Sequence, residues 1–504
     1  MCLALMAVIA SVSGLNVAQQ QFAVDFGASQ GTILWIINAY TLALAALLMP
    51  IGAIGDRWGR KPVLLAGLAL FAFASIVAGL AGTAEVMIAA RVVAGLGAAM
   101  IMPVTLSVIT SSFPEEQRGQ AIGIWAGVAG SGGLIGLFVS SFMVDVLTWR
   151  WLFALPVVLV AASAVMSVRS VPNSREHSEH RFDTVGSVLS AFAIGGLVLG
   201  IHEGPEKGWT DPLTLAGIVV GALALVGFVV WERRQADPLL DIEVFRNRAL
   251  ASGSLTLTLL FAVMFGIFLV LFPYFQAVLG WSALRSAVAL LPMALVMMPT
   301  SALAPQVTKR VGSRSTMLFG VATAGVGLMT LALRASVDGG YMSVLPGLVI
   351  IGFGMGLTMT PSTEAITGSL PAEKQGVASA LNDTSREVGG AVGVALLGSI
   401  LSSGYSSNVE PALEGLPAEL AEPAAEGIGG AFAVAAEAGE AGPAIVEAAK
   451  QAFVDGWIQS MWVGVAMVGI AAVYLLFRGP RPEATGAEEP VVVPDAMFDT
   501  VVGS

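Results

Sequence analysis

Long apolar segments alternate with short polar ones along almost the whole chain. Fourteen segments reach the ~20 residues that an α-helix needs to cross a bilayer, and nearly all charged residues lie between them. Their predicted limits are 1–19, 33–54, 62–82, 86–108, 119–143, 150–168, 184–203, 212–231, 251–275, 284–306, 315–334, 342–369, 376–402 and 456–477. The pattern therefore predicts an all-α membrane protein.

Composition agrees with this pattern and indicates that the protein's partner is the lipid bilayer. Hydrophobic residues make up 56% and charged residues 12% of the 504 positions, whereas a soluble domain carries about 25% charged residues. The net charge of −11 comes from two acidic segments, 404–455 and the tail 479–504. The rest of the chain is nearly neutral, so we expect no nucleic-acid partner.

Few side chains are suited to metal or disulfide chemistry. Cys2 is the one cysteine, which excludes an internal disulfide framework. Of the three histidines, His177 and His180 lie in a polar loop and His202 lies near the end of an apolar segment. We therefore expect no metal site, no cofactor and no metalloenzyme.

The first segment starts at Met1 without a basic region, and the first charged residue is Asp25. A signal peptide would need a basic start and a cleavage site with small residues. We expect an anchored helix whose cytoplasmic tail is absent or whose start is misplaced.

The distribution of Lys and Arg predicts the orientation. An even number of spans puts both termini on one side. The loops and tail on that side hold 17 Lys and Arg, and the opposite loops hold five. Positive loops stay in the cytoplasm. We therefore expect a multi-pass protein of the inner cell membrane with both termini cytoplasmic, an external acidic loop at 404–455 and a disordered tail at 479–504.

The chain contains an internal repeat. Residues 113–119 match 370–376 at an offset of 257, and glycines on both sides match at the same offset. Arg57, Gly59 and Lys61 match Arg310, Gly312 and Arg314 at an offset of 253. The repeat predicts two six-helix bundles, with two helices inserted between them and a binding site at their interface. The expected limits are 1–169, 170–249 for the inserted part, and 250–478.

The loop at 52–61 joins the second and third spans and contains glycines and charges. Asp56 is suited to accept hydrogen bonds from the N–H groups at the start of a neighbouring helix. The remaining predicted members of this gating loop are Gly52, Arg57, Gly59, Arg60 and Lys61. Its pattern resembles the loop between helices 2 and 3 of the major facilitator superfamily of transporters.

Arg91 lies a few residues inside the fourth span. An arginine in lipid is costly and is therefore a functional candidate. The structural alternative is that its side chain extends to the nearby membrane surface.

Three charges fall within two turns of the thirteenth span. Asp383, Arg386 and Glu387 can share one face, because they are spaced by three and four residues. Arg386 can neutralise only one of the two carboxylates, so one carboxylate is left without a cation. The three residues are therefore candidates for proton coupling, and the alternative is a structural ion pair. Glu364 is expected to be an interfacial residue.

Aromatic and polar residues inside the spans are candidates for a substrate cavity. Tyr40 and Trp125 lie near the middle of their helices and could stack on flat or cationic compounds. Trp35 is expected to anchor its helix at the interface. The other cavity candidates are Ser11, Asn16 and Asn382.

Over nearly its whole length the chain resembles the fourteen-helix drug:proton antiporters of the major facilitator superfamily. The resemblance rests on residues 35–40, 52–61, 91–97, 149–153 and 361–399. It implies the major facilitator fold and export of lipophilic, often cationic compounds in exchange for protons.

The sequence departs from that family pattern at several positions. Ser11 stands where the family has an acid five residues before Asn16. Gly133 replaces the helix 5 proline of the antiport signature, a serine pair replaces its later glycines, and Ala94 replaces a glutamine. Any proton binding would then depend on Asp383 or Glu387, and an unpaired Arg91 would favour an anionic substrate.

These observations predict a secondary transporter, a proton-coupled exporter of lipophilic or cationic drugs that works as a monomer by alternating access. The first alternative is an uncoupled facilitator, or an exporter of an anionic or lipid-like metabolite. A membrane enzyme lacks support because no nucleophile–base pair lies in the spans. A receptor lacks support because the tail is too short for a signalling domain.

Overall fold

The computed structural model describes residues 1–28, 30–172, 182–414 and 417–480, which are helical apart from short connections, with no strand among them. The predicted all-α membrane fold is confirmed. The helices are α1 (Cys2–Ser13), α2 (Gln19–Phe26), α3 (Gln30–Trp58), α4 (Arg60–Gly79), α5 (Ala84–Ser112), α6 (Glu115–Val146), α7 (Ala154–Ser170), α8 (Thr184–Lys207), α9 (Pro212–Glu232), α10 (Arg248–Pro273), α11 (Ala283–Val311), α12 (Ser313–Arg334), α13 (Gly340–Thr367), α14 (Gln375–Leu413), α15 (Ala418–Glu426), α16 (Ile428–Glu437) and α17 (Gly442–Arg478).

Thirteen of the described helices are long and apolar enough to cross a membrane. The first predicted span, 1–19, does not form a single helix of spanning length. Its α1 has 12 residues and is followed by the 3-10 turn Gly14–Val17 and then by α2. At 1.5 Å per residue, α1 is shorter than the ~30 Å hydrocarbon core. It nevertheless packs against α5, α6 and α7 as a member of the bundle.

The last two spanning helices are longer than predicted. α14 continues to Leu413 and α17 begins at Gly442, so both extend into the acidic segment 404–455. The rest of that segment forms α15 and α16, and the Tyr405 hydroxyl ties α14 to α15 by donating to the Ala424 carbonyl at 2.9 Å. Of the predicted tail, residues 481–504 lie outside the described part.

The internal repeat appears as repeated helix contacts. An ideal Cβ on Gly95 would lie 2.5 Å from the carbonyl oxygen of Tyr40, where α5 meets α3. An ideal Cβ on Gly352 would lie 2.6 Å from the carbonyl oxygen of Met293, where α13 meets α11. Each glycine therefore lets two backbones touch, and the two contacts fall at equivalent places in the two halves.

The turns between repeated helices are also equivalent. Gly59 joins α3 to α4 with a φ of 110°, and Gly312 joins α11 to α12 with a φ of 85°. Only glycine adopts this backbone region readily. We call the end of the bundle that carries the Gly59 turn the loop end.

The inserted helices α8 and α9 pack on each other and against the two halves. Gly196 and Gly221 allow their backbones to approach closely. On the other face of α8, Val198 clusters with Ala45 of α3 and Ala391 of α14. α8 therefore lies along the seam between the first half and the second. The exact limits of the three predicted domains stay a prediction.

Large apolar side chains cover much of the outside. Many of them are exposed on long helices, including Phe73, Leu223, Leu295, Leu333 and Phe477. A surface of this kind is stable only in lipid. A set of polar and charged side chains, among them Asp56, Arg91, Asp383 and Arg386, instead lies buried inside the bundle, where the candidate site is found.

Candidate functional site

Asp56, in the last turn of α3, joins the two halves at the loop end. Its carboxylate accepts hydrogen bonds from the backbone N–H groups of Gly376 at 2.8 Å and Val377 at 3.2 Å, at the start of α14. Arg60 donates to the same carboxylate at 2.8 and 3.2 Å. A helix start favours an anion because its N–H groups are free and its dipole end is positive. We call this group of contacts the latch.

Close backbone packing supports the latch. An ideal Cβ on Gly376 would contact the carbonyl oxygen of Gly52 and lie 2.8 Å from the Asp56 carboxylate. Arg60 also donates to the Ala372 carbonyl at 3.2 Å. Lys61 instead donates to the Val168 carbonyl at the end of α7, at 2.8 Å. Of the predicted gating loop, Gly52, Asp56 and Arg60 therefore contact the second half, while Lys61 anchors within the first.

A second seam lies on the other side of the loop end, between α6 and α11. Ser301 donates to the Gly123 carbonyl at 3.0 Å. Lys309 donates to the Glu116 carbonyl at 3.4 Å. Further along α6, an ideal Cβ on Gly127 would lie 3.1 Å from the Met298 carbonyl oxygen. The two halves are therefore in backbone contact on both sides of the loop end.

Glu364 of α13 belongs to this second seam, although the sequence suggests only an interfacial role. An ideal Cβ on Gly119 would lie 2.5 Å from its Oε1. Gly119 is the repeat partner of Gly376, so Glu364 lies beside α6 at the position where Asp56 meets α14 in the other seam. At the offset of 253, the residue equivalent to Asp56 is Lys309 of α11. The acid at this seam is therefore supplied by another helix, as Glu364 of α13.

Arg91 lies inside the first half and does not extend to the membrane surface. It is 1% exposed. Its Nη1 donates to Ser11 Oγ at 3.0 Å, and its Nε donates to the Ile36 carbonyl at 3.3 Å. The guanidinium stacks 4.2 Å from the centre of the Tyr40 ring. Its Nη2 has no hydrogen-bond partner, and no carboxylate of the described residues pairs with it.

Tyr40 lies in the core of the first half. It is fully buried, and its hydroxyl donates to the Val8 carbonyl at 3.2 Å. The phenol lies within electrostatic range of both Arg91 and Glu387. Glu387 is half-buried, and the described residues provide no hydrogen-bond partner for its carboxylate. A carboxylate with this exposure is available to a cation or a proton.

The predicted charge cluster of α14 is a buried ion pair with an amide beside it. Asp383 is fully buried. Its Oδ1 accepts from Arg386 Nη1 and from Asn382 Nδ2, both at 3.3 Å. Asn382 in turn accepts from the Thr363 hydroxyl of α13 at 3.0 Å. The other Asp383 oxygen, Oδ2, is buried without a described partner.

Arg386 extends from α14 into the first half. Its Nη2 donates to the Ala129 carbonyl of α6 at 3.3 Å. The guanidinium lies 4.6 Å from the Phe261 ring centre and 5.6 Å from that of Trp125. Trp125 is fixed by a 3.1 Å hydrogen bond from its Nε1 to Thr105 Oγ1. The Asp383–Arg386 pair is therefore part of the contact between the halves.

The structure thus brings the sequence candidates together in two clusters. One contains Ser11, Tyr40 and Arg91, and the other contains Trp125, Asn382, Asp383 and Arg386. Asn16 lies in the turn Gly14–Val17, and its side chain is outside the described part. Among the described residues, no three His, Cys, Asp or Glu side chains are grouped to hold a metal ion.

Sequence reasoning missed the groups that complete these clusters. The Ala129 carbonyl has no side-chain signal, because any residue supplies one. Thr105 and Thr363 are hydroxyls in apolar helices, and such hydroxyls usually bond to their own helix backbone. The sequence shows Thr363 as a polar residue inside a span, but it does not show that its partner is Asn382.

A helical bundle with repeated halves, buried charges at their seam and an apolar exterior defines a polytopic membrane carrier. Residues 1–394 match the Major Facilitator Superfamily. The chain belongs to this family and is a membrane transporter for a small-molecule substrate.

Relatives of this chain carry names that refer to drug resistance. It is 31% identical over 401 residues to the multidrug resistance protein Stp of Mycobacterium tuberculosis, covering 79% of this chain and 74% of that protein. It is 36% identical over 455 residues to the multidrug efflux pump LfrA of Mycolicibacterium smegmatis, covering 89% and 88%. It is 31% identical over 491 residues to the tetracenomycin C resistance and export protein of Streptomyces glaucescens, covering 94% and 89%.

Solved structures share the fold. The proton:xylose symporter XylE matches with a TM-score of 0.59 at 14% identity, over 95% of each chain. The human organic anion transporter MFSD10 matches with a TM-score of 0.57 at 12% identity, over 94% of this chain and 97% of that one.

Proposed function

We propose that this transporter exports lipophilic, often cationic compounds in exchange for protons. The names of its relatives, which refer to multidrug efflux and antibiotic export, support the choice of substrate class. A small-molecule substrate and protons are its only transported partners, and it takes part in no nucleic-acid binding. One chain supplies both halves of the pathway, so we propose that it acts as a monomer.

The transporter is proposed to lie in the inner cell membrane with both termini in the cytoplasm, with α1, the turn Gly14–Val17 and α2 together forming the first of fourteen crossings. The excess of Lys and Arg in the loops of one side supports this orientation. The loop end is then cytoplasmic. Because the latch and the α6–α11 seam close this end, the described state is closed toward the cytoplasm, and transport requires the two halves to rock apart there.

The Arg386 bridge is the single observation that carries the proposed coupling. Asp383 holds Arg386 by an ion pair, and Arg386 donates across the seam to the Ala129 carbonyl. Protonating Asp383 removes the charge that positions the guanidinium. The bridge then weakens, so binding or losing a proton at Asp383 changes the relative stability of the closed and open states.

Substrate and proton can compete through two neighbouring carboxylates. Glu387, one position beyond Arg386, is half-buried and lies within electrostatic range of the aromatic residue Tyr40. A lipophilic cation that pairs with Glu387 and stacks on an aromatic ring gains both charge and ring contacts. Its arrival favours loss of a proton from the neighbouring Asp383, because the two carboxylates share Arg386 as their cation.

One specific observation favours a second candidate. Arg91 lacks a carboxylate partner, and its Nη2 is free within the described structure. A buried, unpaired guanidinium is a ready site for a carboxylate or phosphate. The alternative function is therefore export of an anionic or lipid-like metabolite, with or without proton coupling.

Transport in proteoliposomes tests the proposal. Vesicles with an acidic interior are diluted into buffer that contains tetraphenylphosphonium and is either alkaline, which imposes a proton gradient, or at the interior pH, which imposes none. We expect gradient-driven uptake by the wild type, none by Asp383→Asn, and wild-type uptake by Glu243→Gln, an exposed control. Cation uptake that ignores both the gradient and Asp383→Asn would instead indicate a facilitator. Uptake only of anions, lost in Arg91→Ala, would establish the alternative.

A further inference from the structure

The inserted α8–α9 hairpin contains two facing carboxylates that the transport account does not use. Asp183 caps the start of α8, and Glu232 is the last residue of α9. An ideal Cβ on Gly186 would contact both Glu232 Oε1 and Asp183 Oδ2. The two oxygens therefore face each other across one point, and only a glycine at position 186 leaves that space free.

Neither of these oxygens has another partner. Glu232 is 2% exposed, and both Glu232 Oε1 and Asp183 Oδ2 are buried without a hydrogen-bond partner in the described structure. Their companion oxygens are occupied. Asp183 Oδ1 accepts from Gly186 N at 2.7 Å and Trp231 Nε1 at 2.9 Å, and Glu232 Oε2 accepts from Leu240 N at 3.2 Å. The bonds to the companion oxygens hold the free pair in place.

No cation described near the pair offsets its charge. Charged residues on the neighbouring segments include Arg57, Arg233, Arg234, Asp237 and Lys374. Lys374 donates to the Pro238 carbonyl at 2.9 Å, and Arg233 and Arg234 are exposed. Arg57 and Asp237 each have an interaction of their own. Among the described residues, Asp183 is the charged group within electrostatic range of Glu232.

Two ionised carboxylates in this position would repel each other strongly, because burial removes the screening by water. A single proton between them turns the repulsion into a short, charge-assisted hydrogen bond. We propose that Asp183 and Glu232 hold one shared proton, and that this proton-binding site controls the latch.

A chain of contacts leads from the pair to the latch. Glu232 holds Leu240 through its backbone N–H, and Leu240 is buried in the main core. Two residues earlier, the Pro238 carbonyl accepts from Lys374 Nζ. Lys374 immediately precedes α14, whose first N–H groups bind Asp56. A movement of Glu232 is therefore transmitted to the helix start that the latch holds.

The direction of the effect follows from the charges. While the shared proton is bound, Glu232 stays against Asp183 and the 238–240 segment supports the start of α14. Raising the pH removes that proton, the carboxylates separate, and the latch weakens. The loop end opens more easily as pH rises. This response involves neither Asp383 nor a substrate, so it does not depend on the proposed transport coupling.

Infrared difference spectroscopy on the full-length protein in nanodiscs tests the shared proton. We expect the wild type to lose a protonated-carboxyl band as pH is raised, and Glu232→Gln to lack that band. Asp183→Asn is the second variant, since asparagine keeps the helix cap. Gly186→Ala places a methyl group between the carboxylates and should also remove the band. An unchanged band in all three variants would overturn the proposal.

Spin-label distances test the link to the latch. Labels are placed at Gln120→Cys and Val311→Cys, exposed positions on α6 and α11, in a Cys2→Ser background. We expect the open fraction of the wild type to rise with pH. In Glu232→Gln the open-to-closed ratio at high pH should be about tenfold lower, a change of about 1.4 kcal/mol.

Two control variants separate this site from other acids. Glu243→Gln removes an exposed carboxylate from the neighbouring turn Ile242–Arg246 and should keep the wild-type response. Asp383→Asn removes the opposing effect of the Asp383 proton, so its open fraction should rise with pH at least as steeply as that of the wild type, even if gradient-driven transport is lost. A response that persists in Glu232→Gln and disappears in Asp383→Asn would contradict the proposal and assign the pH dependence to the transport site.

Discussion

Asp383 and Arg386 form an ion pair one turn apart on α14, with Oδ1 3.3 Å from Nη1, and Arg386 also donates to the Ala129 carbonyl of the opposite half. A charge in one half therefore fixes a contact to the backbone of the other. Truncating one partner of such a buried pair leaves the other charge uncompensated. This relationship makes the charge of Asp383 a determinant of how the halves fit together.

Asp56→Asn should weaken the latch. The amide loses the charge that binds both the α14 start and Arg60, which is itself 6% exposed. Breaking a buried pair of this kind costs about 3–5 kcal/mol. The measurement is maleimide labelling of Ser379→Cys, a buried position on α14, in a Cys2→Ser background. Labelling should be faster in Asp56→Asn and unchanged in Glu243→Gln, and equal rates in both would contradict the latch.

Gly376→Ala should open the loop end by steric means alone. The added methyl group would meet the Gly52 carbonyl and the Asp56 carboxylate. Gly469→Ala in α17 is the matched control, because nothing lies within 4 Å of its new methyl group. Labelling of Ser379→Cys should rise only in Gly376→Ala. Identical labelling of the two variants would show that the α3–α14 contact does not limit access.

Ser11→Asp should stabilise the protein by giving Arg91 a charged partner. Arg91 Nη1 already lies 3.0 Å from Ser11 Oγ, and a hydrogen bond between charged groups contributes about 1.5–3 kcal/mol. Thermal unfolding in detergent should give a higher Tm for Ser11→Asp than for the uncharged control Ser11→Asn. If Ser11→Asp unfolds at a lower temperature than Ser11→Asn, the lack of an acidic partner for Arg91 does not destabilise the protein.

Glu364→Gln should weaken the second seam by less than Asp56→Asn weakens the latch. Glu364 lies against Gly119 in the second turn of α6, where a negative charge contributes at most about 0.3–1 kcal/mol through the helix dipole. Spin labels at Gln120→Cys and Val311→Cys should report a modest rise in the open fraction. Glu437→Gln on α16, an exposed carboxylate, should leave the distances as they are. A rise of the same size in the control would remove Glu364 from the seam.

Local pattern predicts most of the fold. Apolar length located thirteen of the spanning helices, and the repeat located glycines that make equivalent contacts, such as Gly95 and Gly352. The first span is the exception, because the apolar residues of 1–19 divide between α1 and a 3-10 turn. Apolar composition alone does not separate a helix from a turn.

The site is predicted less completely than the fold. Spacing placed Asp383 and Arg386 together, since both lie on one helix. It could not place Arg386 against Ala129, 257 positions away, or Glu364 against Gly119. Such contacts depend on how helices pack across the seam, and a single sequence records that packing only where a repeat or a charged pattern marks both sides.

Proton release on substrate binding is the most direct test of the central claim that Asp383 couples substrate to proton. Purified transporter in weakly buffered detergent is mixed with tetraphenylphosphonium, and a pH-sensitive dye reports protons released. We predict release by the wild type and by Glu243→Gln, and none by Asp383→Asn although the variant still binds the cation. Release of equal size from Asp383→Asn, or binding without release in the wild type, would contradict the account.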